Sequence, residues 1–550
     1  MIKRGMPCGQ WVRMRLRGWL RGIAIAAGLL AITILLQWRV GAYRAELDGY
    51  PDESGHYVTG LLIRDYAAAG FRPAPRPFAE SYYLHYPRVS FGHWPPFFHV
   101  VEAFWTLLFS GSRASVLVLI AVLTAATAAV LYFFLETQFG TILAAGGALL
   151  FLFVPLVRDY AGMIMTETTV ALLCLIAALY YARYLRTESM GAACAFGVAA
   201  LLAIFTKPNG WLLGLVPPLC VLFTRRWALL RRASFWLPAA IVLPGAAWYA
   251  WNLETARRGW TATSNPRDLL WSIFMFHLIQ IARLAGPAVL ALALAGFFRR
   301  VIRPGRKAEP EWVSLGALWI ATLLFHSFIA PVGERRHLLT SVPCEAAFAV
   351  AGCDWLAARF RRGFRVRPIG LGRLDLQSGL AQTAFVLVCF ALLFAGAPKV
   401  LDKPRSGLSE LAAFLSSRAE QSHGTFFIHS DVPANEGAFV AEIAMRDKRP
   451  DHVVIRDSKW LSIETTPQGL LRQLELEGVQ ILVLDGPPGR PASRKLQLLE
   501  EAVRDYPERA ALLWNGYPAI RAFELREACR PAKQKIQLDL RQNLGKILMN

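Results

Sequence analysis

Apolar stretches close to the roughly 20 residues that a helix needs to cross a bilayer recur along most of this chain. They lie near residues 20–39, 95–110, 115–135, 139–157, 167–183, 191–206, 210–223, 234–251, 270–298, 312–330, 338–357 and 379–397. With 55% hydrophobic and 18% charged residues, this pattern describes a polytopic α-helical membrane protein. The net charge of +21 is not the footprint of a nucleic-acid binder, because Lys and Arg cluster between the apolar runs, as in "TRRWALLRRAS", "FFRRVIRPGRK" and "ARFRRGFRVRPIGLGR". Basic clusters in that position mark cytoplasmic loops. The opening "MIKRGMPCGQWVRMRLRGWLRG" precedes an apolar stretch too long for a cleaved signal, so it reads as an uncleaved first span with the N-terminus inside.

Working backward from the basic loops at 225–232, 299–307 and 358–373, segments 253–268 and 331–337 fall outside, as does everything after 398. Lys207 and Glu167 then stand on the outer side, and a forward count places 41–94 there too. The two apolar runs within 115–157 must make a single net crossing, so one of them is short, re-entrant or folded back. The expected architecture has about eleven net crossings. Asp52, Glu53, Glu167, Lys207, Glu334, Arg335 and Arg336 gather at one face, and ionisable residues at a membrane boundary are functional candidates.

Beyond residue 402 the pattern changes. "GTFFIHSD", "DHVVIRDS" and "VQILVLDG" read as short strands, separated by helical patterns at "EGAFVAEIAMRD" and "PQGLLRQLELEG" and followed by a longer one from 492 to 505. The division predicted is a transmembrane domain over 1–402, with an outer loop at 41–94, and a soluble extracytoplasmic α/β domain over 403–550. The latter has no glycine-rich phosphate loop, and no cofactor is assigned to it. Eight cysteines form neither a disulfide framework nor zinc spacing.

The loop "YPDESGHY", Tyr50 to Tyr57, holds two adjacent carboxylates. Asp52 is well placed to cap a helix, acids favour a first turn, and "SGHYVTGLLIRDYAAAG" can form an amphipathic helix along the membrane surface. Capping and catalysis are both open readings of Asp52 and Glu53. "GHWPPFFH" follows, with Pro95 and Pro96 at a natural helix entry beside His93. Lys207 reads equally as a snorkelling lysine, Arg335 and Arg336 as headgroup binders, and Glu167 as a first-turn acid. Tyr82, Tyr83, Tyr86 and Trp94 suit an interfacial aromatic belt, with stacking on a sugar as the other use. Asp52 and His56, four apart, can share a helix face, which leaves open a divalent cation held by Asp52, Glu53 and His56; the spacing is no defining zinc motif.

Taken in order, "YPDESGHY", "GHWPPFFHVVEAFWTLLFSGS", "VPLVRDYAGMIMTETTVALLCLIAALYYARYL", "AIFTKPNGWLLGL" and "GERRHLLTSVP" resemble the landmarks of GT-C membrane glycosyltransferases. The likeness is to the protein O-mannosyltransferase and lipid A aminoarabinose-transferase group, over residues 20–395. That resemblance implies a polyprenyl-phosphate sugar as donor and a glycan, lipid or protein hydroxyl as acceptor, at the outer face. It implies Asp52 as catalytic carboxylate with Glu53 its neighbour, Glu167 as a second acid, and Lys207 with Arg335 or Arg336 at the lipid phosphate. His56, Tyr57, His93, Pro95 and Pro96 would line the substrate cleft. The chain departs from the group in having "ERRH" where an Arg-Tyr pair is common, and Trp94 where the aminoarabinose enzymes tend to have Lys.

The chemistry fits those residues independently. A sugar phosphate already carries its leaving group, so a base for the acceptor hydroxyl and positive charge for the departing phosphate suffice. Attack opposite the phosphate predicts inversion. A flippase for lipid-linked sugars is the alternative from another class, although transporters place charge at the midplane and show two related halves. A glycan-binding scaffold is a third reading. The expected location is a bacterial inner membrane, with the C-terminal part periplasmic.

Overall fold

The computed structural model describes residues 8–89, 92–252, 266–304, 308–363, 383, 387, 403, 405–418, 424–446, 453–486, 491–516, 519–529, 532–540 and 546–549. Its first helices are α1 (Cys8–Arg39), α2 (Glu53–Ala68), α3 (Pro75–His85), α4 (Phe97–Leu108), α5 (Arg113–Phe139), α6 (Thr141–Phe153), α7 (Pro155–Ala161), α8 (Glu167–Thr187) and α9 (Met190–Thr206). A 3-10 stretch at Pro208–Leu215 leads to α10 (Val216–Thr224), α11 (Ala233–Ile241), α12 (Leu243–Trp251), α13 (Pro266–Leu284), α14 (Pro287–Phe297), α15 (Pro310–Leu324) and α16 (Val342–Gly363). Among the described residues, five stretches are long and apolar enough to cross a membrane: Gly18–Arg39, Arg113–Phe139, Glu167–Thr187, Ala233–Trp251 and Pro310–Ile329. Two bent pairs raise the number to seven. The chain is an integral membrane protein.

The sequence demanded an interruption somewhere in 115–157. It falls in the second run: α5 is continuous for 27 residues, whereas α6 stops at Phe153 and restarts at Pro155 with a bend of 63°. Proline at the first position of α7 explains the restart, since it can begin a helix but cannot donate to the preceding turn. The run at 379–397 lies outside the described residues, apart from two isolated positions. Helices α14 and α16 pack backbone to backbone, because a Cβ on Gly296 would run into the Phe348 carbonyl and one on Gly352 into that of Leu292. Such close approach is how small residues fasten membrane helices. It steadies the helix that follows the Arg335–Arg336 pair.

After the helices come α17 (Leu408–Arg418), β1 (Thr425–Ser430), α18 (Pro433–Arg446), β2 (Val453–Arg456), α19 (Pro467–Leu476), β3 (Ile481–Asp485), α20 (Arg494–Asp505), β4 (Ala510–Gly516) and β5 (Ile520–Leu525). The sheet order is β2-β1-β3-β5-β4, with β1 parallel to β2 and β3 and the β4–β5 hairpin antiparallel. The parallel centre is buried on both faces, as expected where helices cover a sheet. Strands β6 (Gln537–Leu540) and β7 (Lys546–Met549) form a separate antiparallel pair.

The 41–94 segment does not lie on the bundle as a surface loop. Leu47, Tyr57, Leu61, Tyr83 and Val89 share one hydrophobic core with Leu411, Phe427, Phe439 and Leu482 from beyond residue 402. Helix α2, expected as an amphipathic surface helix, is instead buried from Glu53 to Leu62. Tyr82, Tyr83 and Tyr86, expected in an interfacial belt, are also buried, and the Tyr82 hydroxyl donates to Asp65 at 2.9 Å. The sequence-based expectation fails here because the partner that covers these faces is encoded more than 300 residues later.

Glu46 joins the two regions polar group to polar group. Its buried carboxylate accepts from the amides of Ser406 (3.2 Å), Gly407 (3.2 Å), Leu408 (3.1 Å) and Ser409 (2.9 Å), and from the Ser406 hydroxyl. Those amides open α17, so the acid fills the role of an N-cap from a distant segment. Replacing it strands buried donors. Glu46→Ala is expected to destabilise the protein by about 2 kcal/mol and to expose the 403–408 region to protease, read by thermal melting in detergent and limited proteolysis; an unchanged melt and digest would refute this.

Candidate active site

Asp52 occupies the N-cap position of α2, yet its side chain makes no capping bond. Instead Arg336 Nη1 donates to Asp52 Oδ2 at 2.8 Å. The same guanidinium pairs with Glu334 and stands 3.6 Å from Glu167 Oε1, while Lys207 Nζ also donates to Glu167. Its flat face lies 4.4 Å from the Tyr50 ring centroid, and the Tyr50 hydroxyl donates to Glu334 at 3.0 Å. Residues from four separate stretches therefore meet around one guanidinium.

Local sequence explains each arrival. Thr166 and Glu167 open α8, which puts the carboxylate at the positive end of the helix. Lys207 ends α9 in an extended conformation, as a residue before proline must, so its side chain leaves the helix line. It does not snorkel: its side chain is 12% exposed and its ammonium is on Glu167. Arg336 lies in the 3-10 stretch Arg335–Ser341, backed by α16. Arg335 departs from the cluster, half exposed and paired with Asp159 at 2.8 Å. Asp159 is also held by Lys403 at 3.2 Å. Four carboxylates (Asp52, Asp159, Glu167, Glu334) thus face four cations (Lys207, Arg335, Arg336, Lys403).

Other expected site residues fall elsewhere. Glu53 is fully buried, with Arg113 Nη2 donating to it at 3.0 Å and the Ile164 amide at 3.0 Å, so it anchors the loop to α5 rather than joining Asp52. Tyr57, placed by sequence in the cleft, is core: it is fully buried and its hydroxyl bonds to the Gly111 carbonyl. His56 is buried, with Nδ1 3.1 Å from His99 Nε2 and the Trp94 ring centroid 4.0 Å from its own. Burial, then the charges of His99, Lys207, Arg336 and Arg88, hold its pKa well below the ordinary histidine value. Pro95 is buried, Pro96 precedes the first residue of α4, and His93 is exposed with its ring edge-on to Trp94.

Sequence reasoning missed Tyr50 and Asp159, whose roles depend on partners distant in the chain. It also missed the stack of His337, next to Arg336, on His326 at 4.8 Å between centroids, with His277 beyond at 6.3 Å.

Asp52, Glu53 and His56 do not gather as metal ligands, since each is engaged with a different partner. Among the described residues the one trio with donor atoms within 4.8 Å of one another is His429, Glu436 and Asp457. There Lys495 is 2.6 Å from Asp457 and Arg456 is 3.4 Å from Glu436, so cations already compensate the acids.

Residues 93–251 match the family model described as dolichyl-phosphate-mannose-protein mannosyltransferase. No curated protein sequence matches the chain. Among solved structures, ArnT from Cupriavidus metallidurans in the apo state superposes with a TM-score of 0.56 at 16% identity, covering 93% of this chain and 98% of that one. ArnT bound to undecaprenyl phosphate gives 0.54 at 15%, covering 92% and 98%. The Archaeoglobus fulgidus oligosaccharyltransferase tethered to an acceptor peptide gives 0.50 at 14%, covering 83% and 68%. The chain has the GT-C fold. Within it, the charged cluster sits where the 41–94 segment, the openings of α8 and the 3-10 stretch before α16 converge.

Two expectations follow. Removing one partner of a buried ion pair leaves an uncompensated charge, so Arg113→Met should destabilise the protein by about 3–5 kcal/mol, seen as a large drop in melting temperature; a melt within a degree of wild type would show that Glu53 is no anchor. For His429, burial lowers the pKa, but the hydrogen bond (2.7 Å) and charge of Asp457, with Glu436 and Asp431, outweigh it and raise the value. A raised histidine contributes stability that is complete below its unfolded value of about 6.5 and lost as pH climbs through the folded one. The melting gap between wild type and His429→Gln should therefore be widest on the acid side and close toward alkaline pH; a constant gap would contradict the pairing.

Proposed function

We propose that this chain is an integral membrane glycosyltransferase that moves a sugar from a polyprenyl-phosphate donor to a hydroxyl of a glycan, lipid or protein, with inversion. The observation that carries the reading is the Asp52–Arg336–Glu167–Lys207 cluster: a helix-start carboxylate that caps nothing, in contact with a mostly buried guanidinium beside a buried ammonium. The matched family description and the ArnT structure bound to undecaprenyl phosphate support a lipid-linked donor. We take the reaction to occur at the outer face of a bacterial inner membrane, with residues 403–550 forming an extracytoplasmic domain.

In this mechanism the donor phosphate takes Arg336 and Lys207 as its partners, by charge-assisted hydrogen bonds that are strong where water is scarce. Arg336, with its planar fork, can turn from Asp52 to phosphate oxygens. Released from that pair, the Asp52 carboxylate accepts the acceptor's hydroxyl proton. The acceptor oxygen forms its bond to the anomeric carbon as the bond from that carbon to phosphate oxygen breaks on the opposite side. The electron pair leaves with the phosphate, whose new charge Arg336 and Lys207 stabilise. Glu167 keeps both cations in place. A single displacement needs no covalent sugar intermediate.

The test uses purified protein in liposomes with a panel of radiolabelled polyprenyl-phosphate sugars and endogenous membrane acceptors. Asp52→Asn should lower kcat by about 10²–10⁴-fold and keep donor binding, whereas Lys207→Met should lower kcat by about 10²-fold or more and weaken donor binding too. Transfer by Asp52→Asn at the wild-type rate would sink the assignment of the base. Movement of lipid-linked sugar across the bilayer without transfer to any acceptor would favour a flippase.

A further inference from the structure

Asp52 stands in a turn closed by the Glu53 amide, which donates to the Tyr50 carbonyl at 3.0 Å, while its own side chain makes no bond within the turn. The turn is gripped from outside by Arg88: Nε donates to Ser54 Oγ at 2.9 Å and Nη2 donates to the Pro51 carbonyl, so one guanidinium spans Asp52 on both sides. Arg88 is itself backed by the sheet region. Arg456, the last residue of β2, donates from Nη1 to the Pro87 carbonyl at 3.3 Å, and its Nε is 3.4 Å from Glu436 Oε2 at the start of α18. Glu436 is fixed in turn by the Ser458 amide at 3.3 Å and by the Ser458 hydroxyl. The next residue, Gly437, presses directly on the grip: a Cβ there would lie 2.6 Å from Ser54 Oγ and 2.7 Å from Arg88 Nε. That approach is closer than any side chain allows, and α2 packs along α18 beyond it.

We propose that the sheet region serves as a positioning device for the base, with Arg88 as the positioning residue and Arg456, Glu436 and Gly437 as its backing. This rests on the glycosyltransferase reading of Asp52. A carboxylate that must exchange Arg336 for an acceptor hydroxyl has to be free in its side chain and fixed in its backbone. Holding the Pro51 carbonyl and the Ser54 hydroxyl, rather than the carboxylate, does that. It also gives the C-terminal region a part in turnover while it contributes no group to the reacting atoms.

The experiment compares wild type with Gly437→Ala, Arg456→Gln and Arg456→Lys in liposomes. It measures kcat and the donor KM for the best donor in the radiolabelled panel, together with amide hydrogen exchange over residues 49–57. Both Gly437→Ala and Arg456→Gln should lower kcat at least tenfold with donor KM within twofold, and should speed exchange in that segment. Arg456→Lys, which keeps a donor and a charge, should recover part of the loss. Melting temperatures within a few degrees of wild type establish that the variants are folded, and Arg88→Lys supplies an independent variant if either fails this. Faster exchange with unchanged kcat would overturn the proposal, as would unchanged exchange and kcat together, or an increase in KM alone. If wild type transfers none of the sugars yet exchange still quickens in the variants, the glycosyltransferase reading fails while the grip on the turn stands.

Discussion

Much of this structure is arranged around one guanidinium that water barely reaches. Arg336 is charged at any ordinary pH, and a charge taken out of water costs several kcal/mol unless acids and hydrogen bonds replace the water. Here Asp52, Glu167 and Glu334 do so, and the Tyr50 ring covers the flat face of the guanidinium. Those groups come from three distant parts of the chain, so the bundle must bring the turn before α2, the opening of α8 and the 3-10 stretch before α16 to one point. Matching four acids with four bases in the wider cluster keeps the whole near neutrality. In the proposed mechanism, neutrality would let an incoming phosphate exchange places with a carboxylate instead of having to enter a net-negative site.

That arrangement would be loose if the 41–94 segment were merely a loop. It is instead half of a core. Tyr57, Leu61 and Tyr83 bury their side chains against Phe427, Phe439 and their neighbours, and a fully buried side chain of this size is worth about 1.5–3 kcal/mol. Glu46 then fastens the opening of α17. The turn carrying Asp52 thus lies between the helical bundle, on Arg336's side, and the sheet, on Arg88's.

The sequence made some of this visible and hid the rest for physical reasons. Apolar run length and basic clusters identified a membrane bundle, and alternation after residue 402 located β1, β2, β3 and the helices α18, α19 and α20 within a few residues. The convergence of Asp52, Glu167, Lys207 and Arg336 was foreseen from which side of the membrane each should reach. Choosing between Arg335 and Arg336 was not, because adjacent residues in a 3-10 stretch point about 120° apart and only the neighbours decide which faces the cluster. Tyr82, Tyr83 and Tyr86 were misplaced because an aromatic residue looks the same beside lipid as beside a sheet encoded more than 300 residues on, and Tyr57, placed in the cleft by the resemblance alone, is core for the same reason. The β4–β5 hairpin was missed as well. Its outer strand alternates buried and exposed positions only weakly, which leaves little periodic signal.

The two adjacent carboxylates of "YPDESGHY" show how such a short stretch can carry two tasks. At a helix start, consecutive side chains diverge by about 100°, so Asp52 and Glu53 cannot serve the same partner. Glu53 goes inward to Arg113 and the Ile164 amide, where the pair is dry and fixed. Asp52 goes to Arg336, with its side chain 29% exposed and therefore open to solvent. An anchor one residue from Asp52 limits how far its backbone can wander, and Arg88 limits it again from the other side. With the backbone held twice, the carboxylate's remaining freedom is rotation about its own side-chain bonds. In the proposed reaction, it is this rotation that trades the guanidinium for a hydroxyl.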